Sequence, residues 1–157
     1  MFSRRQFFYT GAAIAAALSL PAHAQLQIEI TGAGARQFPI AIASFAGENL
    51  LQHSLTEVVR ADLNRSGMFR LIETGPEPIA ETAKIDFGNW KYRGADAVVP
   101  GTIARLPDGR FSVRFQLFDT AKSASLGGVE LTFRAEQYRT AAHGISDWIY
   151  EKLIGEP

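Results

Sequence analysis

The sequence predicts an α/β (α+β) domain built on a single mixed β-sheet packed with helices. Three observations carry that expectation. Short period-2 runs alternate with segments whose apolar residues recur at helical spacing. Phe111, Val113, Phe115 and Leu117 alternate with Ser112, Arg114 and Gln116, which gives one apolar and one largely wet strand face. Pro107-Asp108-Gly109 then supplies a tight turn, because proline presets φ, aspartate bonds its own backbone, and glycine takes positive φ without strain.

Residues 1–24 read as a signal peptide. Arg4 and Arg5 form a charged start, Gly11 to Leu20 is an alanine-rich apolar run, and Pro21-Ala22-His23-Ala24 ends in a small-x-small pattern. Cleavage is expected between Ala24 and Gln25, delivering an exported soluble protein. Ser3-Arg4-Arg5-Gln6-Phe7-Phe8 resembles a twin-arginine signal, although Phe8 and Tyr9 depart from it, and the same arginines suit the general secretory route. Removing 24 of 157 residues leaves 133, enough for one domain with a core. With Arg4 and Arg5 gone, 14 basic residues face 16 acidic ones, a net of −2 that gives no electrostatic case for nucleic acid. The chain has no cysteine, so packing rather than disulfides must hold it, and thiolate chemistry is excluded.

Residues 25–37 read as an N-terminal strand and a flexible linker, and residues 38–157 as the α/β domain. Leu26, Ile28 and Ile30 alternate with Gln27, Glu29 and Thr31, and Gly32-Ala33-Gly34-Ala35 follows as a small-residue tether. Such a strand either forms an edge of its own sheet or adds to the sheet edge of another protein. Phe38 to Phe45 is nearly all apolar, as expected of a strand buried on both faces. A helix is expected from about Asn49 to Arg65 on the stripe Leu51, Leu55, Val59 and Leu63, stopped by Ser66-Gly67. A short strand at Phe69–Glu73 precedes a proline- and glycine-bearing loop. A second helix starts at Asp86 as its cap, carries Phe87 and Trp90 inward and ends at Gly94. Ala95 to Leu106 forms the first arm of the hairpin, where Pro100-Gly101 calls for a bulge or a nitrogen turned away from its neighbour. Val129, Leu131 and Phe133 mark a further strand. The last helix, about Tyr138 to Ile154, turns Ala141, Ala142, Ile145, Trp148 and Ile149 inward and ends at Gly155.

No catalytic set emerges. His53 with Glu57, and His143 with Asp147, stand four apart on expected helices, a spacing two metal ligands can use, but each pair lacks the remaining ligands. Ser44, Ser54 and Ser66 have no nucleophile-elbow context. Gly32-Ala33-Gly34 and Gly127-Gly128 do not follow a strand and open a helix, as a phosphate cradle requires. Trp90 and Trp148 fall on inward helix faces. The expectation is a protein without catalytic residues, cofactor or metal.

Several runs together resemble one family. They are Leu26-x-Ile28-x-Ile30, Pro39-Ile40-x-Ile42-x-x-Phe45, Val59-x-Ala61-Asp62-Leu63-x-x-Ser66-Gly67-x-Phe69, and Gly94-Ala95-Asp96-Ala97-Val98-Val99. The hairpin through Gln116-Leu117-x-Asp119 and the closing Ala142-His143…Asp147…Tyr150-Glu151-Lys152-Leu153-x-Gly155 continue in the same order. The whole is similar to the TolB amino-terminal domain family. Ser44, where that family often has proline, and Pro100-Gly101 depart from its pattern.

The resemblance implies a periplasmic component of the Tol-Pal system, which draws the outer membrane inward at division and maintains its integrity. It implies a fold similar to the anticodon-binding domain of class II tRNA synthetases. It also implies that the segment Leu26–Thr31 binds the TolA C-terminal domain, and that Pal is bound only by a β-propeller that would follow Pro157. Two other readings stay open on the residues: an accessory domain that activates a cell-wall synthase, and a small exported hydrolase using His143 or His53.

Overall fold

The computed structural model describes residues 36–155. The expected signal peptide, its cleavage point at Ala24-Gln25 and the expected strand Leu26–Thr31 lie outside the described residues. The elements are β1 (Phe38–Ile42), α1 (Leu55–Arg65), β2 (Phe69–Leu71), α2 (Phe87–Tyr92), β3 (Ala97–Val99), β4 (Gly101–Arg105), β5 (Phe111–Asp119), β6 (Ala124–Phe133) and α3 (Tyr138–Ile154), with a 3-10 turn at Glu48–Leu50. They form one mixed sheet of six strands with three α-helices, as the sequence predicts.

In the sheet β1 lies parallel between β2 and β3, while β5 pairs antiparallel with β3, β4 and β6. The β1–α1–β2 connection needs a crossover because parallel neighbours cannot be joined by a tight turn. The antiparallel half is a meander. Its turn forms as the residues dictate: Gly109 takes φ 86, and the Asp108 carboxylate accepts the Arg110 N–H at 3.0 Å.

Of the two outcomes expected at Pro100-Gly101, the bulge does not form, and the Gly101 N–H instead points away from β5 to the Ile79 carbonyl at 3.0 Å. Val98 faces Phe118 and Gly101 faces Phe115, three steps along each strand, so no residue is inserted and the anticipated bulge is absent. The interruption between β3 and β4 is a missing donor in a continuous register, and the Gln116 N–H still reaches the Pro100 carbonyl at 3.1 Å. The bulge sits instead on β6. Leu117 faces Gly127 but Phe118 faces Ser125, leaving Leu126 extra, and Gly127 supplies φ 126.

The second departure is the start of α1. Leu51 is extended, with φ −92 and ψ 149, and the helix begins only at Leu55. Side chains have captured the helix's free N–H groups at that point. The Ser54 hydroxyl accepts from the Glu57 N–H at 3.1 Å, and Glu48 reaches across to accept the Thr56 N–H at 2.6 Å and the Thr56 hydroxyl. His53 therefore precedes the helix rather than lying on it. The short α2 and the long α3 form as expected. Asp86 caps the Asn89 N–H at 3.0 Å, Gly94 has φ 85, and Gly155 follows α3.

The two sheet faces carry separate cores. On one, α1 and α3 bury Leu55, Val59, Ile145 and Ile149 against Phe111, Val113, Phe115 and Leu117. On the other, α2 and its loop bury Trp90 and Ile85 against Ala41 and Val98. Ser112, expected on a wet face, is buried, while Arg114 beside it is exposed and pairs with Glu130.

Two substitutions test this arrangement. Phe115 is 1 % exposed and meets Trp148 edge-on at 5.3 Å. Phe115→Ala is expected to cost ~3–5 kcal/mol in denaturant unfolding, since lost burial adds to a cavity; an unchanged midpoint would place β5 the other way up. Gly47 has φ 78, and a Cβ there would lie 2.1 Å from the Ile103 carbonyl oxygen. Gly47→Ala is expected to lose about 3 kcal/mol, because backbone on both sides must give way; calorimetry showing no change would refute that close approach.

Candidate partner-binding site

The sequence singles out Leu26, Gln27, Ile28, Glu29, Ile30 and Thr31, all outside the described residues, so the sheet is what the structure offers for comparison. β1 is hydrogen-bonded on both edges, by β2 and by β3, and has no edge left to accept a further strand. Within the described residues three strands have a single strand neighbour: β2, three residues long, β4, five residues long and bridged at Thr102 by Ala46, and β6, ten residues long. The long edge is interrupted by the Leu126–Gly127 bulge, a device that discourages indiscriminate pairing.

The helical pairs weighed as metal ligands come apart. His53 stacks on Tyr138 with ring centroids 5.0 Å apart, whereas Glu57 pairs with Arg60. His143 turns away from Asp147, and its Nδ1 lies 2.6 Å from Asp62 Oδ2. Ser146 Oγ also reaches that oxygen at 2.9 Å, with the Ala142 carbonyl as a second acceptor at 3.0 Å. Among the described residues no group of three or more His, Cys, Asp or Glu side chains converges as a metal site would.

Asp62, His143 and Ser146 are the three residue types of a hydrolytic triad, but their connectivity is wrong for one. A triad passes from nucleophile to base to carboxylate. Here serine and histidine both bond the same carboxylate oxygen, and Ser146 is buried at 4 % exposure without a bond to His143. The cluster is a clasp between α1 and α3. Partial burial raises the Asp62 pKa, but the hydrogen bonds from His143 and Ser146, the charge of His143 and the bond from Arg65 outweigh it and leave it below its ordinary value. Sequence reasoning missed Asp62 because its partners lie 81 and 84 positions away.

The remaining polar candidates are structural. Ser54 caps α1, Ser66 bonds the Leu63 carbonyl at 2.6 Å, and Ser44 accepts from Arg60 at 3.3 Å. Arg60 is itself consumed by the Ile42 carbonyl, at 3.0 and 2.7 Å, and by Glu57. The cleft beside it, near the carboxyl ends of β1 and β2, is thus closed by its own bonds as an anion site.

A carboxylate whose folded pKa is depressed stabilises the fold above its unfolded pKa and loses that contribution as pH falls through the folded value. Asp62→Asn is accordingly expected to cost about 1–2 kcal/mol near neutrality. Its gap to the parent protein should close as the pH drops below about 4. Equal acid sensitivity of the two proteins in urea unfolding would remove Asp62 from the clasp.

Residues 26–126 match the TolB amino-terminal domain family. Over 146 residues the chain is 51 % identical to the Tol-Pal system protein TolB of Aromatoleum aromaticum, covering 93 % of this chain and 34 % of that protein. It is 47 % identical to the Tol-Pal system protein TolB of Dechloromonas aromatica, over 98 % of this chain and 35 % of that one. The chain thus spans about a third of the length of these relatives. Among solved structures it resembles TolB from Acinetobacter baumannii, with a TM-score of 0.65 and 34 % identity over 78 % of this chain and 29 % of that one. A PelC dodecamer from Paraburkholderia phytofirmans shares the fold at a TM-score of 0.51 and 17 % identity, covering 80 % of this chain and 93 % of that one. On the family match, the high identity along nearly its whole length and the common fold, the chain belongs to the TolB amino-terminal domain family.

Proposed function

We propose that this domain is a periplasmic binding module of the Tol-Pal system and that Leu26–Thr31 is the strand by which it binds the C-terminal domain of TolA. The observation that carries the reading is the family match, which begins at Leu26 and so includes the alternating segment. The domain works by binding rather than by catalysis, in support of outer-membrane invagination at division and outer-membrane integrity. Residues 1–24 are its export signal. Pal is a partner only if a β-propeller follows this domain in the full gene product.

The physical case rests on how added strands bind. Main-chain bonds give affinity that is largely independent of sequence, and pockets for alternate side chains give selectivity. Leu26, Ile28 and Ile30 are those side chains here, with Gln27, Glu29 and Thr31 facing the other way. Consistent with this division of labour, β1 is already paired on both edges and leaves no edge of its own for a partner's sheet.

Deleting Gln25–Thr31 is expected to abolish binding to the TolA C-terminal domain while leaving the circular dichroism spectrum and unfolding midpoint unchanged. Ile28→Pro should weaken binding strongly by removing one ladder donor. Isothermal titration of both variants is the measurement, and full-strength binding by the deletion would refute the assignment.

A further inference from the structure

Asp108 is the one aspartate of the chain followed by glycine, and no asparagine precedes a glycine. Isomerisation is easiest at such a dipeptide, because glycine has no Cβ to shield the attacking main-chain nitrogen. This one sits at the tip of the β4–β5 hairpin, with the Asp108 side chain half exposed to water. The Gly109 nitrogen attacks Asp108 Cγ, and water leaves with the amide proton and the acid hydroxyl. The product is a five-membered succinimide. Water then opens the ring at either carbonyl. Opening at Cγ restores aspartate, whereas opening at the main-chain carbonyl leaves isoaspartate, with the chain routed through the former side chain.

Arg110 holds the reacting carboxyl by both of its oxygens. Oδ1 accepts the Arg110 main-chain N–H at 3.0 Å, and Oδ2 accepts from Arg110 Nε at 2.7 Å. The main-chain N–H first, and the guanidinium after it, keep the Asp108 carboxyl below its ordinary pKa. The carboxylate is the unreactive form, since the ring closes by losing a hydroxyl from the neutral acid. The nucleophile is held as well. The Gly109 N–H donates to the Leu106 carbonyl at 3.0 Å, with Gly109 fixed at φ 86. Closing the succinimide therefore means breaking the bonds that make the turn.

We propose that Asp108-Gly109 is the isoaspartate-forming site of this domain, and that Arg110, by gripping both carboxylate oxygens, holds the reaction back while the hairpin is folded. The consequence reaches past the turn. Isoaspartate adds one backbone atom between Leu106 and Arg110, whose N–H and carbonyl close the hairpin at 2.7 Å. The pairing of β4 with β5 begins beside it, at Arg105 and Phe111, so the added atom strains the first rung of that ladder.

The test ages the folded chain in neutral buffer, well below its unfolding midpoint. Trypsin then releases Leu106–Arg110, whose aspartate and isoaspartate forms are equal in mass and separate by chromatography. Arg110→Ala keeps the main-chain N–H but loses the guanidinium, and it should form isoaspartate several-fold faster than the parent. Its peptide runs on to Arg114. Arg110→Lys keeps a cation beside the carboxylate and should fall between the two, with circular dichroism confirming that both variants stay folded. The parent in concentrated urea should react faster than the folded parent. Asp108→Ser should remove most of the isoaspartate that enzymatic methyl transfer detects in the whole chain. Three results each overturn the proposal: Arg110→Ala ageing at the parent's rate, the folded parent ageing as fast as in urea, or undiminished isoaspartate in Asp108→Ser.

Discussion

The structure depends most on the pairing of β5. That strand meets β3 and β4 along one edge and β6 along the other, and its four alternating apolar residues decide which face the long helices cover. Because side-chain period in a strand is two, a slip of one residue would turn all four toward water. The tight turn at Gly109 and the unbroken register through Pro100 fix the position of β5 against β4. Once β5 is set, α3 has a floor, α1 has α3 to pack against, and Asp62 comes within reach of His143 and Ser146.

Elements whose information is local were legible in the sequence. The helix α3 carries its period and its terminal glycine together, α2 carries Asp86 three residues before the N–H it caps, and β5 carries strict alternation. What escaped depends on side chains meeting across the fold. The start of α1 is set by Glu48 bonding Thr56 across an extended stretch, and the Leu51–Leu55 spacing gives no hint of that break. Pro100-Gly101 left a bulge and a turned-away nitrogen both open, and only the register against β5, in which both strands stay in step, decides between them.

The candidate site divides in the same way. The alternation of Leu26, Ile28 and Ile30 announces a strand, but no pattern within six residues says whose sheet it joins; that came from family resemblance. The clasp at Asp62 was invisible for a different reason. It draws residues from segments that only the sheet brings together, so the spacing rules that find helical ligand pairs had no purchase on it.

The position of β1 bears on how the domain would carry load. The chain enters the described fold at Phe38 and becomes at once an interior strand, flanked on both sides by parallel neighbours. Tension arriving through the upstream residues does not peel an edge, where bonds break one after another. It draws β1 along its own axis, so that both ladders resist in shear and many bonds must yield together. A domain held by its amino-terminal segment is thereby held through an interior strand that is bonded on both sides.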